Sequence, residues 1–297
     1  MFSYRHAFHA GNHADVLKHL VLVQILQYFN QKDSPYWVVD THAGGGAYAL
    51  EAGAPASSGL ASAPHDTGKR PEYLDGIARL WDQQALPPAV DEYLALVKDF
   101  NADARLRHYP GSPWLAARLI RDQDRLRWFE LHPSEVQVLR RNAGQLSRSL
   151  QKRLMIDEKD GFDGVKAVLP PPTRRGIVLM DPSYEDKRDY RRTVTALKEG
   201  LKRFATGCYV IWYPQLSRPE SRQLPDQLVQ ATGERDWLHV SLTVRAPSAD
   251  GLGLLGSGMF VVNPPWTLAG SLSDAMPALT GVLAQDDRAS FSLKTSG

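Results

Sequence analysis

The stretch "RAPSADGLGLLGSG", residues 245–258, constrains the fold of this chain more than any other. It joins two strand-like runs, 238–244 and 258–264, and its glycines give no helical reading. A parallel crossover needs a dozen or more residues, usually a helix, so these two runs are expected to pair antiparallel. Five earlier runs are rich in β-branched and aromatic residues: 36–40, 126–131, 153–158, 176–181 and 208–214. Helical spacing over 134–149, 162–169, 187–204 and 219–231 separates most of them. Strands alternating with helices make a parallel, doubly wound sheet. The expectation is an α/β, Rossmann-like fold whose seven-stranded sheet has an antiparallel last strand. S-adenosylmethionine (SAM) methyltransferases have that arrangement and dinucleotide dehydrogenases do not.

Runs one and two are separated by residues 41–125, far more than a βα unit needs. Residues 53–71 are rich in Gly, Ala, Ser and Pro and read as a loop. Residues 72–101 read as helical, broken at Pro87-Pro88. A single domain over 1–297 is expected, with an inserted helical subdomain at about 48–110. The polar tail after Leu283 reads as frayed.

No apolar stretch reaches the ~18 residues of a membrane span, so no membrane partner is expected. The polar N-terminus does not read as a secretory signal, and Cys208 is the only cysteine, so a cytoplasmic setting is expected. No extended apolar surface points to an obligate protein partner, so a monomer is the default. A net charge of +2 argues against a protein coated in base. It leaves room for the local cluster Lys187, Arg188, Arg191, Arg192, Lys198, Lys202 and Arg203. That cluster reads either as a solvated helix face or as a nucleic-acid contact.

The first run leads into "VVDTHAGGGAYA". A glycine turn there, opening toward a helix, lets backbone approach a ligand closely. Gly44 to Ala49 also fit G-x-G-x-x-A, the nicotinamide-dinucleotide fingerprint, which keeps an oxidoreductase open as an alternative. Asp40 before the glycines favours SAM, whose cationic methionine part an acid there can meet. "RWFELHP" puts Glu130 at the second strand tip, placed for ribose hydroxyls. "DEKDGF" puts Asp160 and Gly161 at the third, placed for an adenine amino group.

"GIVLMDPSYEDK" ends the fourth run in Asp181-Pro182-Ser183-Tyr184. Amino-directed methyltransferases carry [Asp/Asn/Ser]-Pro-Pro-aromatic at this place. The exocyclic amine of a base is a poor nucleophile because its lone pair is delocalised into the ring. Asp181 and the Pro182 carbonyl can accept its two N–H bonds and favour a localised lone pair, while Tyr184 stacks on the flipped base. "MFVVNPPW" fits the motif more closely, but it ends the reversed run, which points its tip at the opposite edge. Asn263 is therefore read as structural.

Asn12 reads as the N-cap of a helix on which Asp15, Lys18, His19 and Leu22 share a face. Tyr4, Arg5 and His6 suit stacking and phosphate contacts, or a packed arm. His6, His9, His13 and His19 lack a cysteine partner or H-E-x-x-H spacing, so no metal is expected. In "YPGSPWLAARL", Ser112 reads as a helix cap before Pro113.

Taken together, "SYRHAFHAGNHADVLKH", "DTHAGGGAY", "EYLDGIARLW", "YPGSPWLAARL", "ELHP", "DGF", "DPSYE", "KRFATGCYVIWYP" and "SGMFVVNPPW" resemble the RlmJ family, bacterial 23S rRNA adenine-N6 methyltransferases. The resemblance runs to about Leu283. It implies a Rossmann-like SAM domain with an inserted helical subdomain, SAM as cofactor and 23S rRNA as partner, free or in an assembly intermediate. It implies that Lys18, His19 and His42 line the SAM pocket, that Ser112 contacts the cofactor and that Glu130 holds the ribose. Asp160 and Gly161 would recognise the adenine, Asp181 would be the catalytic acceptor, and Tyr4 would contact RNA. Lys187, Arg191 and Arg192 remain the expected basic contacts. Two departures stand out: Ser183 replaces the family's second proline, and 53–71 is longer than its usual loop. The motif alone also admits a DNA adenine-N6 or a protein glutamine methyltransferase.

Overall fold

In the computed structural model, α1 (His13–Asn30) starts at Asn12, whose side-chain oxygen accepts from the N–H groups of Ala14 and Asp15. The residues described are 8–50, 61–62, 70–101, 103, 105–248, 251 and 253–297. β1 (Trp37–Asp40), β2 (Ala47–Ala49) and β3 (Ala61–Ser62) follow. A 3-10 turn at Glu72–Asp75 precedes α2 (Ile77–Leu80), α3 (Pro88–Asp99), β4 (His108–Pro110) and α4 (Ser112–Leu119). Then come β5 (Arg125–Phe129), α5 (Pro133–Gly144), α6 (Arg148–Gln151), β6 (Leu154–Asp157), α7 (Gly161–Val168) and β7 (Gly176–Met180). The chain ends with α8 (Arg188–Arg203), β8 (Cys208–Gln215), α9 (Pro219–Thr232), β9 (Trp237–Thr243), β10 (Gly256–Val262), α10 (Leu268–Leu283) and β11 (Ser290–Thr295).

The main sheet runs β11-β9-β10-β8-β7-β1-β5-β6. β6, β5, β1, β7 and β8 are mutually parallel. β10 is antiparallel to both β8 and β9, as the helix-free link predicts. The period of two along each strand divides the core. Val38, Ile177, Leu179 and Val210 face one way, onto a layer holding Leu17, Leu20, Leu115 and Leu272. Val39, Val178, Met180 and Ile211 face the other way, onto Val165, Leu197 and Leu228. On α8 the buried residues Tyr190, Thr193, Leu197 and Leu201 recur at helical spacing, which is why that helix lies flat on the sheet.

Three expectations are corrected. The sheet has eight strands, because the tail is not frayed: β11 pairs antiparallel with β9 from Ser290 to Thr295. The insertion is not purely helical, since it carries a small sheet, β3-β2-β4. The glycine turn opens onto β2 and not onto a helix. Tyr48 is the reason: it is buried in β2 opposite Tyr109 of β4, which draws the chain into a strand. The Gly111 N–H donates to the Gly46 carbonyl at 2.9 Å, so the chain leaves and rejoins the sheet at one neck. The stretch 53–71 falls almost wholly outside the described residues. Among the described residues no helix is long and apolar enough to cross a membrane.

Candidate active site

The tips of β1, β5, β6 and β7 share one edge of the sheet, where ligands of open α/β sheets bind. A cavity of about 650 Å³ opens there, within the range of small-molecule sites. Its wall includes Lys18, Gly44, Glu130, Asp160 and Asp181, so the sequence-predicted groups do converge.

Gly44 and Gly46 take positive φ angles of 57° and 79°, a region that favours glycine. The turn they make is held from three sides. The Gly44 N–H donates to Glu130 at 2.7 Å, the Gly45 N–H to the Tyr48 hydroxyl at 3.1 Å, and Asn142 donates to the Gly45 carbonyl at 2.6 Å. Glu130 takes a second backbone N–H, from His132, at 2.7 Å. Burial nevertheless leaves its carboxyl above the ordinary range.

Asp40 lies just beneath the cavity. It accepts from the Ser112 hydroxyl at 2.6 Å and from the His42 N–H at 3.2 Å. Burial pushes its pKa up to about 6 despite both bonds. Ser112 is therefore not the helix cap expected: Gly111 occupies the cap position, and the Ser112 hydroxyl is turned onto Asp40. His42 bonds the Thr41 hydroxyl at 2.7 Å and meets Phe162 edge-on. Burial lowers its pKa to about 4, so the ring is neutral near pH 7.

Asp160 caps α7 through the Phe162 N–H at 3.0 Å and pairs with Arg192 at 2.6 Å. A β-carbon at Gly161 would collide with the Thr41 carbonyl, so glycine there lets α7 close on the end of β1.

Asp181 follows the last residue of β7, and Lys18 reaches it across the cavity floor at 2.5 Å. Lys18 also pairs with Asp15 at 2.7 Å and is only 3% exposed. Burial works to lower the Lys18 pKa, but the carboxylates of Asp15 and Asp181 outweigh it and the net shift is upward. His19, one residue on, bonds the Tyr109 hydroxyl at 2.8 Å, and Tyr109 bonds Tyr93 at 2.8 Å.

The base-stacking role expected of Tyr184 needs correction. Its ring is 1% exposed, and its hydroxyl donates to the Trp212 carbonyl at 2.8 Å. A positive φ of 54° turns the side chain back onto β8, where it packs on Tyr190 and Trp212. It props the Asp181–Ser183 loop from below. Pro182 and Ser183 do line the cavity.

The expected RNA contacts divide. Tyr4, Arg5 and His6 lie outside the described residues. Lys187 stands 3.3 Å from Glu220, and Arg191 is exposed on α8. Arg192 is a cavity residue: it pairs with Asp160 and lies over Phe162, 4.5 Å from the ring centroid. Asn263, the rival acceptor, sits at the opposite edge, beside Val262, which pairs with the first turn of β8 at Tyr209. Its amide donates to the carbonyls of Ala205 and Gly207 at 2.9 and 2.8 Å. Several cavity residues escaped notice, among them the acids Glu135, Glu185, Asp186 and Asp189; Trp212, over whose ring Lys18 sits at 5.6 Å, was missed as well. The run "CYVIWYP" offered a signal for Trp212, since its two-residue alternation brings that ring to the end of β8 nearest β7.

Comparison with known proteins adds sequence relationships to this geometry. A family model described as "Ribosomal RNA large subunit methyltransferase D, RlmJ" matches residues 33–294. The Escherichia coli K12 protein named ribosomal RNA large subunit methyltransferase J is 44% identical, over 94% of this chain and 93% of the relative. The Haemophilus influenzae protein of the same name is 43% identical, over 99% and 98%. The crystal structure of protein LPL1258 from Legionella pneumophila superposes with a TM-score of 0.83 at 32% identity, covering 97% of this chain and 98% of that one.

Proposed function

From a chain that belongs to the RlmJ family of ribosomal RNA large subunit methyltransferases, we propose how this cavity carries out the reaction. The protein is a SAM-dependent methyltransferase acting on the N6 amine of a single adenine in 23S rRNA. The dinucleotide alternative lapses, because its fingerprint requires the glycine turn to open onto a helix and β2 follows instead.

The residues present suit SAM. The cavity has the volume of a cofactor site, its wall brings glycine backbone close to the ligand, and seven carboxylates line it against a cationic guest: Glu130, Glu135, Asp160, Asp181, Glu185, Asp186 and Asp189. In this reading Gly44 faces the methionine part, with Asp40 holding Ser112 from beneath, and Glu130 faces the ribose. Asp160, Gly161, His42, His19 and Ser112 complete the enclosure. When bound, SAM supplies a methyl group activated on a sulfonium.

Asp181 is the observation that carries the proposal. It stands at the tip of β7, on the cavity wall, ion-paired to a buried lysine. Its carboxylate and the Pro182 carbonyl accept the two N–H bonds of the incoming amine. That draws the nitrogen lone pair out of the ring and holds the nitrogen in line for transfer. Lys18 favours the ionised form of Asp181, the only form that accepts through both oxygens.

The substrate in this reading is 23S rRNA, free or in an assembly intermediate, and the protein works as a cytoplasmic monomer. The test is nucleoside mass spectrometry of unmodified 23S rRNA after incubation with SAM, with Asp181→Ala alongside. New N6-methyladenosine with wild type alone is expected, with SAM affinity within about tenfold in the variant. Methylation by Asp181→Ala would remove that residue from the chemistry.

A further inference from the structure

A second hollow, of about 750 Å³, lies at the same edge of the sheet. β8 continues four residues beyond Ile211, the partner of Met180, to Gln215. At ~3.3 Å per residue that carries it about 13 Å past the tip of β7. The hollow is built there, on Gln215, with Arg222 from α9, Arg245 from the β9–β10 link and Arg288 from the turn before β11.

Its charge is opposite to that of the cofactor cavity. Among the described residues, three arginines and no carboxylate line it. Two basic residues of α8 at the cofactor cavity are paired: Arg188 with Asp186 at 2.6 Å and Arg192 with Asp160 at 2.6 Å. In the hollow, Arg245 donates to the Leu254 carbonyl at 3.2 Å, and Arg288 stands 4.0 Å from the exposed Asp287. Guanidinium forks around a concave surface match the oxygens of a phosphate group.

We propose that this hollow binds a backbone phosphodiester of the RNA strand that flanks the target adenosine. It rests on the rRNA reading above and adds a site to it. One strand would run from the Asp181 cavity along the end of β8 into the arginines. The anchor fixes the strand's register while leaving the base free to enter the cavity, since phosphate contacts position and do not read sequence.

The test compares wild type with Arg222→Ala/Arg288→Ala, both exposed positions. Binding is followed by fluorescence anisotropy over a salt series, with two RNAs. One is a hairpin carrying the target adenosine with its flanking strand; the other is an oligonucleotide limited to the target and its immediate neighbours. The double variant is expected to bind the hairpin about tenfold more weakly, with a salt slope shallower by about 1.4, at ~0.7 for each phosphate no longer neutralised. Short-oligonucleotide binding, SAM affinity by calorimetry and thermal midpoint should match wild type. Unchanged hairpin affinity and slope in the double variant would overturn the site. So would equal losses on both RNAs, which would mean a diffuse field. A wild-type protein that binds no RNA would overturn the functional reading as well, and is distinguished from failure of the site alone by the absence of methylation.

Discussion

Lys18 lies 2.5 Å from Asp181 and 2.7 Å from Asp15, so one buried ammonium ties the first helix to the tip of β7. The tie extends outward. Asp15 also accepts the Gly11 N–H at 2.9 Å, and the Gly11 carbonyl accepts from Ile77 at 2.8 Å. Gly76 packs so closely on Gly11 and Asn12 that a β-carbon would collide with their backbone. The insertion, the helix start and Asp181 are thus one connected body.

Lys18→Met should be strongly destabilising, because it strands the buried Asp15 carboxylate. Removing one partner of a buried pair costs about 3–5 kcal/mol. Adding Asp15→Asn should recover much of that stability without restoring methylation. Urea unfolding of the three proteins gives the comparison. A Lys18→Met midpoint equal to wild type would mean the ion triad carries no structural weight.

Tyr184→Leu should lose stability and activity together. The substitution removes a buried ring and the 2.8 Å bond to the Trp212 carbonyl, a loss of about 2–4 kcal/mol. A surface stacking residue would behave differently: its loss would raise KM for RNA at unchanged stability. Thermal melts beside RNA titrations separate the two.

Asn263→Ala should remain active once folded. It gives up two bonds to the carbonyls of Ala205 and Gly207, at a residue whose φ is 53°. About 1–3 kcal/mol of stability is expected to go. A stable but inactive Asn263→Ala protein would transfer the chemistry to the other tetrapeptide.

Stability should fall as pH drops from 6.5 toward 4. Burial lowers the pKa values of His13, His42 and His239 from 6.5 to about 4. In that window the unfolded chain binds up to three more protons at these histidines than the native one, and proton uptake favours unfolding. Melting curves against pH should lose one proton of that slope in His239→Gln, a position remote from the cavity. A slope identical to wild type would exclude imidazole burial as the cause.

Asp40 has the opposite sign. Burial raises its pKa from 3.8 to about 6, so the native state holds the extra proton. Its contribution is full below 3.8 and lost as pH rises through about 6. Asp40→Asn should therefore gain in melting temperature relative to wild type between pH 4 and 7, while SAM affinity falls. A constant difference across that range would place the ionisation elsewhere.

Sequence patterning reached the alternating strands and helices, the reversed β10 and the convergence of Gly44, Glu130, Asp160 and Asp181, because these rest on local periodicity and on which ends of parallel strands share an edge. It failed where a distant partner decides the outcome. Ser112 reads as a cap until Asp40, 72 positions away, takes its hydroxyl. Arg192 reads as a solvent-facing base until Asp160 pairs with it. Tyr184 reads as a stacking face until a positive φ turns it under the loop. β11 was hidden because "SFSLKT" carries only two large apolar residues, Phe291 and Leu293, and draws its order from the ladder of β9.

That last strand also governs how the molecule meets other copies of itself. Without β11, the seven residues of β9 would present an open ladder of N–H and C=O groups, a template for intermolecular pairing. β11 replaces it with a shorter border of serines, a threonine and Lys294, a composition that discourages strand addition. Resistance to aggregation is thus lodged in six residues that touch no part of the chemistry.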